Sequence, residues 1–259
     1  MTTETVPAPA GQRHIPFAGA VNFRDLGGYP DSEGQRTAWG RVYRSDSLAE
    51  LSDSDHETWR RLGIRLVCDL RLPSERRNAP DRLPQYDGLR ERSIGFLPHG
   101  ASEMLRAVRA RELDSGQIVD EVTRHYRRLP LDHLSEYRQI FSLLAEPQNR
   151  PLVVHCTSGK DRTGFAAMLI LLALGVSEEL ARQDYLLTNS YRREVSHIFD
   201  LDIGAAEMQT LTSARPEYFD AALEAMHGAY GSTLGYLEGG IGLDDAGLAC
   251  LREALLEPL

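Results

Sequence analysis

The segment from Pro151 to Gly175 leaves this chain few folds to choose from. Pro151-Leu152-Val153-Val154 is a short apolar run that reads as a buried strand. Phe165 to Leu174 is apolar and long enough for a buried helix, with Gly175 at a C-cap-like position. Between them stands His155-Cys156-Thr157-Ser158-Gly159-Lys160-Asp161-Arg162-Thr163-Gly164. A cysteine therefore ends a strand, on a tight loop that opens into a helix. Such a loop turns successive backbone N–H groups inward and adds a helix N-terminus, a site for a dianionic phosphate. The same field favours the thiolate of a cysteine at the base of the loop, which is a nucleophile. Arg162 can fork onto two phosphate oxygens. Residues Thr157, Ser158, Gly159, Lys160, Asp161 and Arg162 thus form the expected substrate-binding loop.

A free cysteine is more often plain core material. That explanation covers Cys156 but not the two glycines, lysine, aspartate and arginine that follow a buried strand. Of the 29 basic residues, 28 are arginine, and the sole lysine, Lys160, lies in this loop.

His-Cys-x-x-Gly-x-x-Arg-Thr resembles the signature of the cysteine-dependent protein tyrosine phosphatase superfamily. Its Gly159-Lys160-Asp161-Arg162-Thr163-Gly164 form is similar to the bacterial tyrosine/lipid phosphatase branch. Asn22-Phe23-Arg24-Asp25-Leu26-Gly27-Gly28-Tyr29 resembles that branch's N-terminal signature, and Val67-Cys68-Asp69-Leu70-Arg71 with Glu75 a further one. Weaker likenesses are Pro216-Glu217-Tyr218 and Tyr230-Gly231-Ser232 with Tyr236-Leu237. Together they run from about residue 17 to 243.

The resemblance implies a two-step phosphoryl transfer through a phosphocysteine on Cys156, with no metal and no cofactor. Loop amides and Arg162 would stabilise the equatorial oxygens of the transition state. Thr163 matches the family hydroxyl that hydrogen-bonds the departing sulfur, and His155 would help hold the loop from inside. Phosphotyrosine, phosphoserine/threonine and phosphoinositide substrates are all permitted. Lys160 would add charge for substrates bearing more than one phosphate. Free phosphate is expected as product and inhibitor.

The general acid is where the chain departs from the wider superfamily. Many relatives carry an aspartate on the loop after the next strand, and Glu91 to Ala101 contains none. Asp161, inside the phosphate loop, and Asp69, at the end of its strand, are the alternatives. Either could instead be structural: Asp161 a buttress, Asp69 a partner of Arg24 or Arg71. Asp161 is preferred because the loop itself holds it near phosphorus.

Composition narrows the rest. The net charge of −9 argues against nucleic acid as a partner, so an anionic substrate must meet a local basic pocket. The arginines between Arg60 and Arg92 read mainly as a solvated, salt-bridged helix face. No apolar run reaches the roughly 18 residues of a membrane span. Three cysteines without metal spacing suit a reducing compartment, hence a cytoplasmic expectation, with signal-less export left open. Residues 1–13 lack the features of a signal peptide and read as a mobile tail before a single domain, 14–259.

Alternating elements predict an α/β fold, a central mainly parallel sheet flanked by helices. Strands are expected at 41–44, 64–70 and, weakly, 92–97, and helices at 52–62 and 131–145. Asp69 and Cys156 should share the rim at the strand C-termini. Residues 101–129 read as two polar helices broken near Ser115-Gly116, either a solvated hairpin or a lid. From Ser177 onward the chain reads as all-helical, with Pro216 starting one helix and Asp244 capping the last. Two other classes compete: a rhodanese-like or arsenate-reductase-like thiol enzyme, and a non-catalytic phosphate-binding module.

Overall fold

The computed structural model describes residues 12–192 and 203–259. Its centre is a five-stranded sheet built from β1 (Arg24–Asp25), β3 (Val42–Ser45), β6 (Leu152–His155), β4 (Leu66–Asp69) and β5 (Arg90–Ser93), in that order. β1 runs antiparallel to β3, and every other pairing is parallel. This is the mainly parallel sheet that the alternation predicts.

The three central strands are buried on both faces, which is why they read as continuous apolar runs. Their side chains alternate between two cores. Tyr43, Val67 and Val153 pack with Phe17, Phe23 and Trp59 under α1 (Asp53–Leu62). Val42, Leu66, Cys68, Leu152 and Val154 face the larger core on the other side. That side is filled by α6 (Arg162–Ala173), every residue of which is buried. A helix apolar all round can only be a core helix.

The register sets the site. Asp69 pairs with His155 across β4 and β6, so Asp69 and Cys156 leave the sheet at the same C-terminal rim. The short α2 (Pro73–Asn78) follows β4 on that rim, with Glu75 at its third position.

Helix signals in the sequence translate directly. Ser52 caps α1 through a reciprocal bond with Asp55, and Gly63 ends it at φ 63°. α3 (Ala101–Arg109) and α4 (Ser115–Asp132) form the expected pair, but the break comes earlier than expected: Asp114 caps α4, and Ser115-Gly116 open it. α4 also runs through Pro130 to Asp132, so Leu131 belongs to it and α5 covers only Leu134–Ala145. Beyond α7 (Glu178–Leu186) come α8 (Ala205–Thr212), α9 (Pro216–Tyr230), a π-helical turn at Tyr236–Ile241, and α10 (Asp245–Leu255) capped by Asp244.

Two expectations need correction. The C-terminal part is not all-helical: Leu256–Pro258 form β7, antiparallel to β2 (Gln35–Thr37). Arg13 is not part of a loose tail, because it exchanges backbone and side-chain bonds with Asp25 and lies 3.6 Å from the Tyr29 ring centroid. Residues 1–11 of the expected tail lie outside the described residues. Among the described residues no helix is long and apolar enough to cross a membrane.

Candidate active site

Cys156 sits at the foot of the loop between β6 and α6, almost fully buried. The loop's carbonyls are engaged from outside. Thr157 O accepts from the Ser47 amide, Gly159 O from Arg44 Nη2 at 2.7 Å, and Asp161 O from the Phe165 amide. With these carbonyls engaged by the surrounding protein, the N–H groups of the loop are the ones left to an anion. Gly159 holds φ +67° where a Cβ would come within 2.8 Å of Asn22 Nδ2, Asp46 N and Ser45 O, so only glycine fits that turn.

Arg162 opens α6 and is splinted in place. Its Nη1 donates to Glu75 Oε2 at 2.8 Å, Leu70 O at 2.9 Å and Phe96 O at 3.1 Å; its Nη2 donates to Glu75 Oε1 at 2.8 Å. These bonds use the terminal nitrogens, none of them Nε. Burial would lift the Glu75 carboxyl, but Arg162, the Thr157 hydroxyl and the Leu72 amide together hold it at about 2. Burial acts on Arg162 in the opposite sense, yet Glu75 and the acidic surroundings carry it above its usual value. The pair is therefore fully ionised at neutral pH, with the guanidinium fixed at the rim beside Cys156.

The two aspartates part company. Asp69 has both oxygens taken: Arg71 Nε and the Arg71 amide bond Oδ1 at 3.0 and 2.8 Å, and Arg71 Nη2 bonds Oδ2 at 2.9 Å. It is buried with Asp81 and His155, whose Nε2 lies 3.2 Å from Asp81 Oδ2 and 3.7 Å from Asp69 Oδ1. This cluster supports the loop from below; Arg71 spans both carboxylates, 2.8 Å from Asp81. Asp161 instead lines a cavity of about 100 Å³ above Cys156. Tyr126 donates a 2.7 Å hydrogen bond to its Oδ1.

Cys156, Thr157, Ser158, Lys160, Asp161 and Arg162 form the floor of that cavity. Its walls are mainly apolar and come from three helices: Met104 and Leu105 on α3, Val122 and Leu129 on α4, and Leu211 on α8, with Leu97 and Pro98 beside them and His125, Tyr126 and Thr212 as the polar members. Lys160 is buried and already engaged. Its ammonium donates to Leu211 O at 2.6 Å and lies 3.4 Å from Asp161 Oδ1. Thr163 is fully buried too, but its hydroxyl makes no hydrogen bond among the described residues, to the Cys156 sulfur or to anything else.

The arrangement is a thiol at the centre of an anion bowl, a clamped arginine and one carboxyl facing the cavity. A family model described as the tyrosine phosphatase family matches residues 15–257. The chain belongs to the tyrosine phosphatase family. A Cupriavidus necator chain named for tyrosine-protein phosphatase activity is 30% identical over 245 residues, 92% of this chain and 88% of that one. The triple specificity protein phosphatase PtpB of Mycobacterium tuberculosis is 33% identical over 284 residues, 94% and 99%. A tyrosine-protein phosphatase of Nostoc commune is 26% identical over 224 residues, 82% and 73%. The protein is a cysteine-dependent phosphatase, a phosphoric monoester hydrolase. The sulfurtransferase, arsenate-reductase and non-catalytic readings fall away.

Several residues that shape this phosphatase site are not named by the sequence alone. Glu75 belongs to a sequence motif, and only the fold makes it the partner of Arg162. Asp184, wholly buried on α7, binds Arg44 and Arg24, and Arg44 in turn holds Gly159 O. Burial would raise the Asp184 carboxyl, yet the two arginine charges hold it at about 2. Burial and the neighbouring Arg44 pull Arg24 down to about 10. A buried Arg24 in the Asn22–Tyr29 block was the available signal, since an arginine among apolar residues demands an acidic partner. Nothing in one sequence names Asp184 as that partner.

Proposed function

We propose that this phosphatase hydrolyses phosphomonoesters with aromatic or apolar leaving groups, phosphotyrosine first among them, through a phosphocysteine on Cys156. The single observation that carries the reading is the apolar cavity standing directly over the cysteine and Arg162. Its walls suit a ring or a hydrocarbon stem, while its floor suits one phosphoryl group. Lys160 holds Leu211 O and lies beside Asp161, so part of its charge is already met within the protein and a single phosphoryl group is the better fit to the floor. Two relatives' names, tyrosine-protein phosphatase, support this reading, while a third is named for triple specificity.

The Cys156 thiolate attacks phosphorus as the P–O bond to the leaving group breaks. The loop amides and Arg162 take up the charge on the equatorial oxygens. Asp161 delivers the proton to the leaving oxygen and recovers one from the water that hydrolyses the phosphocysteine. Asp69, locked between Arg71 and His155, buttresses the loop. The pair α3–α4 acts as a lid over the cavity its residues line, and the enzyme works in the cytoplasm. A panel of phosphotyrosine peptides, phosphoserine peptides and phosphoinositides at equal concentration tests the substrate claim. Faster turnover of polyphosphorylated lipids than of phosphotyrosine would overturn it.

A further inference from the structure

The carboxyl of Asp161 is not held by its own loop alone. Tyr185 on α7 donates a 2.9 Å hydrogen bond to the Tyr126 hydroxyl on α4, which donates its own proton at 2.7 Å to Asp161 Oδ1. Lys160 Nζ lies 3.4 Å from the same oxygen. Both contacts fall on Oδ1 and neither on Oδ2. The Tyr126 ring is stacked on Tyr218 of α9, centroids 5.4 Å apart at 24°, and sits edge-on to Tyr185 at 5.9 Å. Tyr126 and Tyr185 are almost completely buried, so neither hydroxyl has water to turn to. Burial and the Asp161 charge push both phenols well above their usual range, and both stay protonated donors at any working pH.

We infer that Tyr126 is a positioning residue for the leaving-group proton: its hydroxyl, aligned by Tyr185, pins Oδ1 of Asp161 so that the proton to be delivered sits on Oδ2. The inference rests on Asp161 being the general acid. An unpinned carboxyl can rotate and present either oxygen, protonated or bare, to the cavity. A donor fixed on one oxygen disfavours protonation there and removes the unproductive half of these arrangements. When the P–O bond breaks and the leaving oxygen takes the Oδ2 proton, the Tyr126 hydrogen bond also steadies the carboxylate left behind. Because the donors come from α4 and α7 and the stacking partner from α9, the acid's orientation is set by the helices around the cavity as well as by the phosphate loop.

The test measures kcat/KM, which reports the step in which the leaving group departs, on an alkyl phosphate and on p-nitrophenyl phosphate for wild type, Tyr126→Phe, Asp161→Asn and the double variant. Phenylalanine keeps the ring and its stacking, removing only the hydroxyl. Tyr126→Phe should slow the alkyl phosphate by about 10-fold or more, the scale of one hydrogen bond to a charged group. It should change the aryl substrate, whose leaving group needs little protonation, by less than about 2-fold. In the Asp161→Asn background the same change should add less than about 2-fold on either substrate. A merely structural tyrosine would slow both substrates alike and would add fully to Asp161→Asn; either result overturns the inference. If Asp161→Asn shows leaving-group dependence and Tyr126→Phe does not, positioning by Tyr126 fails while the general acid stands. If Asp161→Asn shows none, the general-acid reading fails and takes this inference with it. Should Tyr126→Phe not fold, Tyr185→Phe tests the same relay. A smaller loss confined to the alkyl phosphate supports it, and a uniform or absent loss refutes it.

Discussion

At the scale of single residues, the site works because a cation is held rigid in a nearly dry place. Arg162 has five acceptors around its terminal nitrogens, two of them the oxygens of one ionised Glu75. An ammonium cannot reproduce that fork. Arg162→Lys should therefore lower kcat by about 10²–10³-fold, the usual cost of losing a transition-state donor. Steady-state kinetics on p-nitrophenyl phosphate checks it, and wild-type kcat would place Arg162 off the phosphoryl oxygens. Glu75→Gln should leave the arginine charged but unsplinted, lowering kcat/KM on the order of 10²-fold through misplacement. Unchanged kcat/KM would mean the loop alone orients the guanidinium. The sequence shows Arg162 plainly, by its place after the cysteine. It cannot show Glu75 as its partner, since 87 residues separate them and the contact exists only once β4 and β6 lie side by side. For the general acid the sequence offers two aspartates, and Asp161 remains the one proposed. What separates them is side-chain geometry, Arg71 closing both oxygens of Asp69 while Asp161 faces the cavity.

At the scale of elements, the strands and helices that carry strong local signals stand where the sequence puts them. Ser52 and Gly63 bracket α1, and Pro216 and Gly231 bracket α9. Signals mislead where tertiary contacts outrank them. Pro130 looks like a helix stop, yet α4 continues past it, and Pro130 O accepts a 2.7 Å bond from the Tyr236 hydroxyl. β7 has only three residues, one of them proline, and draws its hydrogen bonds from residues 35–37 at the far end of the chain. No local pattern could announce it. The buried tie between α7 and the phosphate loop was equally invisible. Asp184→Asn would leave Arg24 and Arg44 buried without their counter-charge, a loss of about 3–5 kcal/mol for a broken buried pair. Thermal unfolding should show a drop in Tm of several degrees, together with reduced phosphate binding as Arg44 releases Gly159 O. An unchanged Tm would show that the arginines find other partners.

At the scale of the whole molecule, an acidic chain of net charge −9 recognises an anion by local means, and its pH response follows from the same buried groups. Glu75 and Asp184 are each held at about 2, below their ordinary 4.5 and 3.8. Their folded values are depressed, so each contributes stability above its ordinary value that is lost as pH falls from there towards 2. Asp25 has the opposite sign. Burial, only partly offset by the Gly40 and Gly27 amides, raises it from 3.8 to about 6. Its share of stability is complete below 3.8 and is lost as pH rises through about 6. Wild-type stability in urea, measured relative to Asp25→Asn at each pH, should therefore rise as pH drops from about 6 to about 4. A difference that stays flat over that range would contradict the assignment to Asp25.

In the proposed mechanism the phosphoryl group passes through Cys156 without a metal. The direct measurement is rapid quench of the enzyme with a good aryl phosphate in excess EDTA, followed by mass spectrometry of the peptide that contains residue 156. A phosphate adduct on Cys156 is expected, formed in a burst and absent from Cys156→Ser, which should lose turnover while still binding phosphate. Undiminished turnover in Cys156→Ser, or turnover that EDTA abolishes with no adduct formed, would contradict it.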